Sequence, residues 1–338
     1  MRAKVLLDPS FRRTDTIFTE EDLDRIHAVA DVVWGDDEPI PEDRLSAVAD
    51  ELEIIVSGAW RHGHPSRFPR LRAILEVGGH LPPLEDLDYD YCFTHGIRVL
   101  SCAPAFGPAV AEHGLALALA STRQIAWTDR AFRTDEPNWS HTSFATEIGD
   151  TFTLYGKRIG MIGFGGLARS LRPLLAPFGC SFQAYDPWLT ETFLRREGVE
   201  PVDLDTVLAT SRIIFVLATP TSANRALLTG DKLDLISADA VLVLLSRAHV
   251  VDFDALTERL LAGRFRAAID VFPEEPIGID HPIRGAQHAV LSSHRAGAIG
   301  EALHNVGRLV ADDLEALCTG RVPQRMQVAQ PEIIRLRD

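Results

Sequence analysis

The sequence predicts an α/β protein built from two doubly wound parallel-sheet domains, and three observations carry that expectation. Short β-rich runs alternate with helix-like stretches through the first hundred residues. Six further runs begin near residue 158 and follow one another at intervals of 22 to 32 residues, which leaves room for a crossover helix in most intervals. The first of these six ends in a glycine-rich turn at Gly163. A length of 338 residues agrees with two domains of roughly 100 to 200 residues each.

Taken in order, the first series is AKVLL (3–7), ADVVW (30–34), EIIVS (53–57), RAILE (72–76) and IRVL (97–100). In TEEDLDRIHAVA, Thr19 can cap a helix whose first turn is acidic. Residues 107–133 are rich in alanine and leucine and contain no proline after Pro108, so they read as one long helix joining the domains. The second series is RIGMIG (158–163), CSFQAY (180–185), RIIFVL (212–217), AVLVLL (240–245), AAIDVF (267–272) and AVLSS (289–293), a six-stranded doubly wound sheet. Pro173 lies where a helix should follow the glycine turn, and it is expected to kink that helix or cost it a hydrogen bond. A last helix is expected over Ile299 to Cys318, with Thr319-Gly320 as its stop.

Composition narrows the function classes. A formal charge of −14 with no long basic run argues against nucleic acid as a partner. Cys92, Cys102, Cys180 and Cys318 are far apart, with no Cys-x-x-Cys pair, which points to reduced thiols and a cytoplasmic protein. The apolar stretch near the N-terminus ends at Asp8-Pro9, too brief for a secretory core, and no tract approaches the roughly 18 residues of a membrane span. His62 and His64 have no evident third ligand, so no metal is expected; with Trp60 they could line a substrate pocket. Glu112 and His113 read as structural or interface residues, and Trp139 as a packing anchor.

The turn Gly163-Phe164-Gly165-Gly166-Leu167-Ala168 is a G-x-G-x-x-A pattern between a strand and a helix. The first glycine permits the tight turn, the second lets a pyrophosphate reach the backbone, and the small last residue allows close helix packing. Free N–H groups at the helix start then face the phosphates. Asp186, 21 residues after Gly165, ends the next run, where a carboxylate can accept hydrogen bonds from ribose hydroxyls and repel a 2′-phosphate. NAD is therefore the expected cofactor, with contacts at Gly163, Gly165, Gly166, Leu167, Asp186, Thr219 and Asp270.

Arg247, Glu275 and His294 each stand just beyond a late apolar run, which in a parallel sheet is the carboxyl edge. Carbonyl reduction needs a proton donor beside the oxygen that gains charge, and the reverse oxidation needs a base at the same place; histidine serves both. Glu275 can hold the other ring nitrogen of His294, and Arg247 can grip a substrate carboxylate and polarise the adjacent carbonyl. Hydride transfer to or from a small polar substrate is the expected chemistry.

These residues, with VAEH (110–113), LYGKRIGMIGFG (154–165), SRAHVVD (246–252), AAIDVFPEEP (267–276) and SSHRAGA (292–298), resemble the D-isomer-specific 2-hydroxyacid dehydrogenase family. The likeness covers nearly the whole chain. It implies Arg247, Glu275 and His294 as the catalytic set and a 2-keto or 2-hydroxy acid as substrate. It also implies a Rossmann cofactor domain at 107–297, inserted into a flavodoxin-like substrate domain made of 1–106 and 298–338. The substrate carboxylate is then expected on backbone amides of Val77-Gly78-Gly79, and a homodimer through the cofactor domain.

The chain departs from the family pattern at Gly166, where arginine is common, at Ala248, where glycine is common, in a longer loop from Gly79 to Asp88, and at Phe106, where a small polar residue is common. Two other classes compete. An NAD(H)-sensing binding protein of the same fold, as corepressors are, would show NADH-dependent assembly with little turnover. A methyltransferase shares the glycine turn and its acid but has no use for the late arginine, glutamate and histidine.

Overall fold

The computed structural model describes residues 2–134 and 151–336, so Trp139 lies outside the described residues. The chain divides into two compact units, Met1–Gly107 with Ala298–Asp338, and Pro108–Gly297.

The first unit carries β1 (Ala3–Asp8), β2 (Ala30–Trp34), β3 (Leu52–Ser57), β4 (Ala73–Glu76) and β5 (Arg98–Ser101), with β13 (Gln327–Val328) added late in the chain. Their order is β13-β5-β4-β3-β1-β2. The pairs among β1 to β5 are parallel, and β13 alone is antiparallel. This is the flavodoxin-like order 2-1-3-4-5 with one edge strand appended. Alternate residues of each strand enter different cores, as a sheet covered on both faces requires. Val5, Leu7, Ile54, Val56 and Leu75 pack with Val306, Val310 and Leu314, whereas Leu6, Ile55, Ile74 and Val99 pack with Phe68 and Tyr89. Helix α1 (Glu20–Val29) starts in a capping box, with Asp22 N–H donating to Thr19 and Thr19 N–H donating to Asp22, as the sequence led us to expect. The helix Gly300–Cys318 ends at Thr319, followed by Gly320 in the left-handed region, and one further short helix, Pro331–Ile334, comes after it where none was expected.

The second unit holds seven strands rather than the expected six. They are β6 (Arg158–Ile162), β7 (Ser181–Tyr185), β8 (Glu200–Pro201), β9 (Ile213–Val216), β10 (Val241–Leu244), β11 (Arg266–Ile269) and β12 (Ala289–Leu291). The order is β12-β11-β10-β9-β6-β7-β8, with every pair parallel. β8 escapes a periodicity reading because it has two residues, one of them a proline, which an edge strand tolerates. Arg247, Glu275 and His294 consequently follow the fifth, sixth and seventh strands.

The single long helix expected over residues 107–133 is instead two, α2 (Gly107–Thr122) and α3 (Ile125–Thr134). Gln124 takes a positive φ of 53°, its N–H turning back to Ser121 O, and the Thr122 hydroxyl donates to Leu119 O. Thr122 is thus drawn into a local turn that propensity alone does not reveal. Helix α4 (Gly166–Leu175) does run through Pro173, but it ends two residues later in a 3₁₀ turn, Ala176–Phe178, closed by Gly179. The proline falls where only the last turn loses a donor.

Candidate active site

Strand register sets the carboxyl edge of the second sheet. Ile162 is level with Tyr185 and Val216, Val216 with Leu244, Leu244 with Ile269, and Ile269 with Leu291. Gly163, Asp186, Arg247, Asp270 and His294 therefore all emerge within three residues of one line.

The glycine turn is built for its conformation. Gly163 has φ +87°, and a Cβ there would lie 2.6 Å from Ala218 Cα, so any side chain would strike backbone. Gly165 and Gly166 are different, because a Cβ on either would meet no atom within 4 Å. Their smallness is not required by the fold. Phe164 and Ala168 are fully buried and lock the turn and α4 onto the sheet. Asp186 ties the turn to β7: Phe164 N–H donates to its Oδ2 at 2.7 Å, while Trp188 and Leu189 N–H donate to Oδ1. Open backbone at Gly165 and Gly166, at the start of a helix with no side-chain cap, fits a pyrophosphate. Leu167 is half-buried beside it, and Thr219 is exposed after β9, its carbonyl taking the Asn224 side-chain amide.

Glu275 and His294 are brought together. His294 Nδ1 lies 2.5 Å from Glu275 Oε2, and Phe272 N–H donates to Glu275 Oε1 at 2.9 Å. With a carboxylate on Nδ1, the network assigns the proton to that nitrogen and leaves Nε2 to exchange a proton outward. His294 itself has φ +53°, a left-handed conformation uncommon for a side-chain-bearing residue. That conformation is held by Asp270, which is fully buried. His294 N–H donates to the Asp270 carbonyl at 2.8 Å, and Ser292 Oγ, Arg295 N–H and Ala296 N–H donate to its carboxylate. His113, on α2, reaches the same group, with Nε2 3.1 Å from Ser292 Oγ and 3.4 Å from Asp270 Oδ1. Sequence reasoning missed Ser292 and gave His113 no link to this loop. An acid just after one apolar run and the SSH tripeptide just after the next, 22 residues on, were the available signal.

Arg247 stands exposed at the end of an extended residue, one guanidinium nitrogen donating to Ser246 O at 2.7 Å. Ala248, which follows it, is buried in the core of the sheet. A methyl group there fills space that glycine would leave.

Of the three amides expected to grip a carboxylate, Val77 N–H donates to Ser57 O at 2.9 Å and Gly78 N–H donates to Glu76 Oε1 at 2.8 Å. Only Gly79, at φ +87° against the Phe106 ring, makes no hydrogen bond through its amide among the described residues. Trp60 and His62, which could line a substrate pocket by sequence, lie inside the first unit. They are buried, Trp60 against the Phe68 and His62 rings with its N–H on Gly63 O. His64 alone is exposed, near Asp88. Glu76 is 1% exposed, and burial pushes its carboxyl up to about 8 although the Gly78 amide, Arg12 and Arg61 pull the other way. Burial likewise pushes the His62 ring below its ordinary range.

Fold and edge together define a dinucleotide-binding α/β protein with an imidazole–carboxylate pair at the switch edge. Residues 115–296 match the family model described as D-isomer specific 2-hydroxyacid dehydrogenase, NAD binding domain, and the chain belongs to that family. D-3-phosphoglycerate dehydrogenase of Mycobacterium tuberculosis is 30% identical over 303 residues, 88% of this chain. The chain spans only 55% of that relative's length. Glyoxylate reductase of Pyrococcus furiosus is 27% identical, with 90% of each chain covered. A solved phosphoglycerate oxidoreductase from Rhizobium etli superposes with a TM-score of 0.84 at 34% identity, covering 97% of this chain and 99% of its own. Among the described residues no helix is long and apolar enough to cross a membrane.

Proposed function

We propose that the chain is an NAD-dependent D-2-hydroxyacid dehydrogenase that interconverts a small 2-keto acid and its D-2-hydroxy acid. The observation that carries this reading is the short contact of His294 Nδ1 with Glu275 Oε2 at the edge that also bears the glycine turn. NAD(H) supplies or takes the hydride when bound along Gly163, Gly165, Gly166 and Leu167, with Asp186 at its ribose. His294 Nε2 gives the proton to the carbonyl oxygen on reduction and takes it back on oxidation. Glu275 stabilises the imidazolium that appears when Nε2 gains a proton. Arg247 grips the acid and polarises the carbonyl beside it. Asp270 and Thr219 complete the cofactor edge in this reading, Asp270 by holding the His294 loop.

A homodimer through the second unit belongs to the same proposal. It is supported by α3, which buries none of its residues and exposes Ile125, Trp127 and Phe132. Four free cysteines support a cytoplasmic location. The test is His294→Ala, assayed for NADH consumption with a series of 2-keto acids. The variant should lose about 10²-fold or more in kcat while binding NADH as before. Unchanged turnover would remove the assignment.

A further inference from the structure

At the carboxyl edge of the first sheet, beside the loop whose Val77 and Gly78 amides are already engaged, stands a half-buried guanidinium that makes no ion pair among the described residues. Arg12 follows β1 and is half-buried. Its Nε donates to Val77 O at 3.1 Å, and neither terminal nitrogen makes a hydrogen bond or ion pair among the described residues. The guanidinium carbon lies 4.9 Å from the Phe11 ring centre and 5.8 Å from that of Phe106. These rings order the side chain and remove water from its faces. Burial lowers the affinity of Arg12 for its proton, as expected of a charge with too little compensation. Phe11 has φ +74°, so the chain holds a strained residue next to the arginine. Phe106 packs at once on Arg12 and on the Cα side of Gly79.

We infer that Arg12 is the first unit's anchor for the substrate carboxylate, taking the place of the Gly78 amide that Glu76 occupies. The inference rests on the function proposed above. A guanidinium fork with its terminal N–H groups unengaged meets a planar carboxylate in a bidentate pair, and two flanking aromatic rings favour a 2-keto acid with an apolar substituent. The ionisable groups around the loop are Glu76 on β4, Arg61 and His62 after β3, Asp8 at the end of β1, His80 within the loop and Cys102 after β5. Of these Arg61 is the permanent cation, and it is exposed, its guanidinium donating to Ser10 O.

The test is equilibrium binding of oxamate, a non-reacting analogue of a 2-keto acid, by calorimetry with NADH present. Wild type is compared with Arg12→Met and Arg12→Lys, and NADH affinity and thermal midpoint are recorded for each. Arg12→Met should weaken oxamate binding tenfold or more and raise KM for a 2-keto acid by a like factor, with kcat and NADH affinity little changed. Arg12→Lys should recover part of the loss, because charge returns without the fork. Equal oxamate affinity in wild type and Arg12→Met overturns the inference, as does absence of oxamate binding to wild type. Absence of turnover with measurable, Arg12-dependent oxamate binding would instead remove the proposed reaction and leave the anchor standing.

Discussion

The two sheets present carboxyl edges of opposite character. In the second unit the three acids of the edge are partnered, Glu275 by His294 and Phe272 N–H, Asp270 by Ser292, Arg295 and Ala296, and Asp186 by three amides, while the buried Ser246 Oγ beside Arg247 has no hydrogen-bond partner among the described residues. In the first unit the Asp8 carboxylate, the Ser10 and Ser57 hydroxyls, one carboxylate oxygen of Glu76 and Nε2 of His62 are buried with no hydrogen-bond partner among the described residues. His62 Nε2 lies 3.7 Å from Asp8 Oδ2, beyond hydrogen-bond range. A group that must move a proton at one atom needs its geometry held in advance. An edge that recognises a ligand can instead carry groups whose best partner comes from outside the chain. The contrast teaches that preorganisation is concentrated where the proposed bond changes occur.

The largest effect expected from disturbing this contrast is at Asp270. Asp270→Ala removes the acceptor of three donors within the fold and should cost about 3 kcal/mol or more, since each buried donor left without a partner costs roughly 1–3 kcal/mol. Denaturant unfolding of the variant would measure it. A loss below about 1 kcal/mol would mean that the His294 loop does not depend on this acid.

A smaller effect sharpens the other edge. Glu76 carries a folded-state value near 8 against an ordinary 4.5, so the native state holds its proton more tightly than the unfolded chain. The stability from this group is therefore complete below about pH 4.5 and is lost as pH rises towards and through 8. The slope should be at most about 1.4 kcal/mol per pH unit across that window. Glu76→Gln keeps an acceptor for Gly78 N–H but cannot ionise, so its stability should be flatter between pH 5 and pH 8. Parallel curves for variant and wild type would show that the carboxyl ionises without penalty.

Much of this was legible in the sequence, and particular residues show where legibility stops. Eleven strands could be read because a sheet covered on both faces makes its strands continuous apolar runs, such as the one ending at Leu244. The two-residue strands β8 and β13 carry no period to read. The break at Gln124 was hidden because a residue in the left-handed region need not be glycine. His294 and Glu275 could be paired from sequence because adjacent parallel strands deliver their ends to one edge. What sequence did not disclose is which way an amide faces. Gly78 looked free to bind an anion, and its N–H points at Glu76, two residues earlier. Ser292 and His113 were obscure for the same reason, since their contact joins residues 179 positions apart.

The central claim is hydride transfer to the carbonyl carbon of a 2-keto acid with His294 supplying the proton. Its most direct test uses NADH carrying deuterium at the transferred position, with recovery of the product acid. The account predicts a D-2-hydroxy acid labelled at C2, and loss of that product, with NADH binding retained, when His294 is replaced by alanine. An unlabelled product, or the same labelled yield from His294→Ala at the same rate, would contradict it.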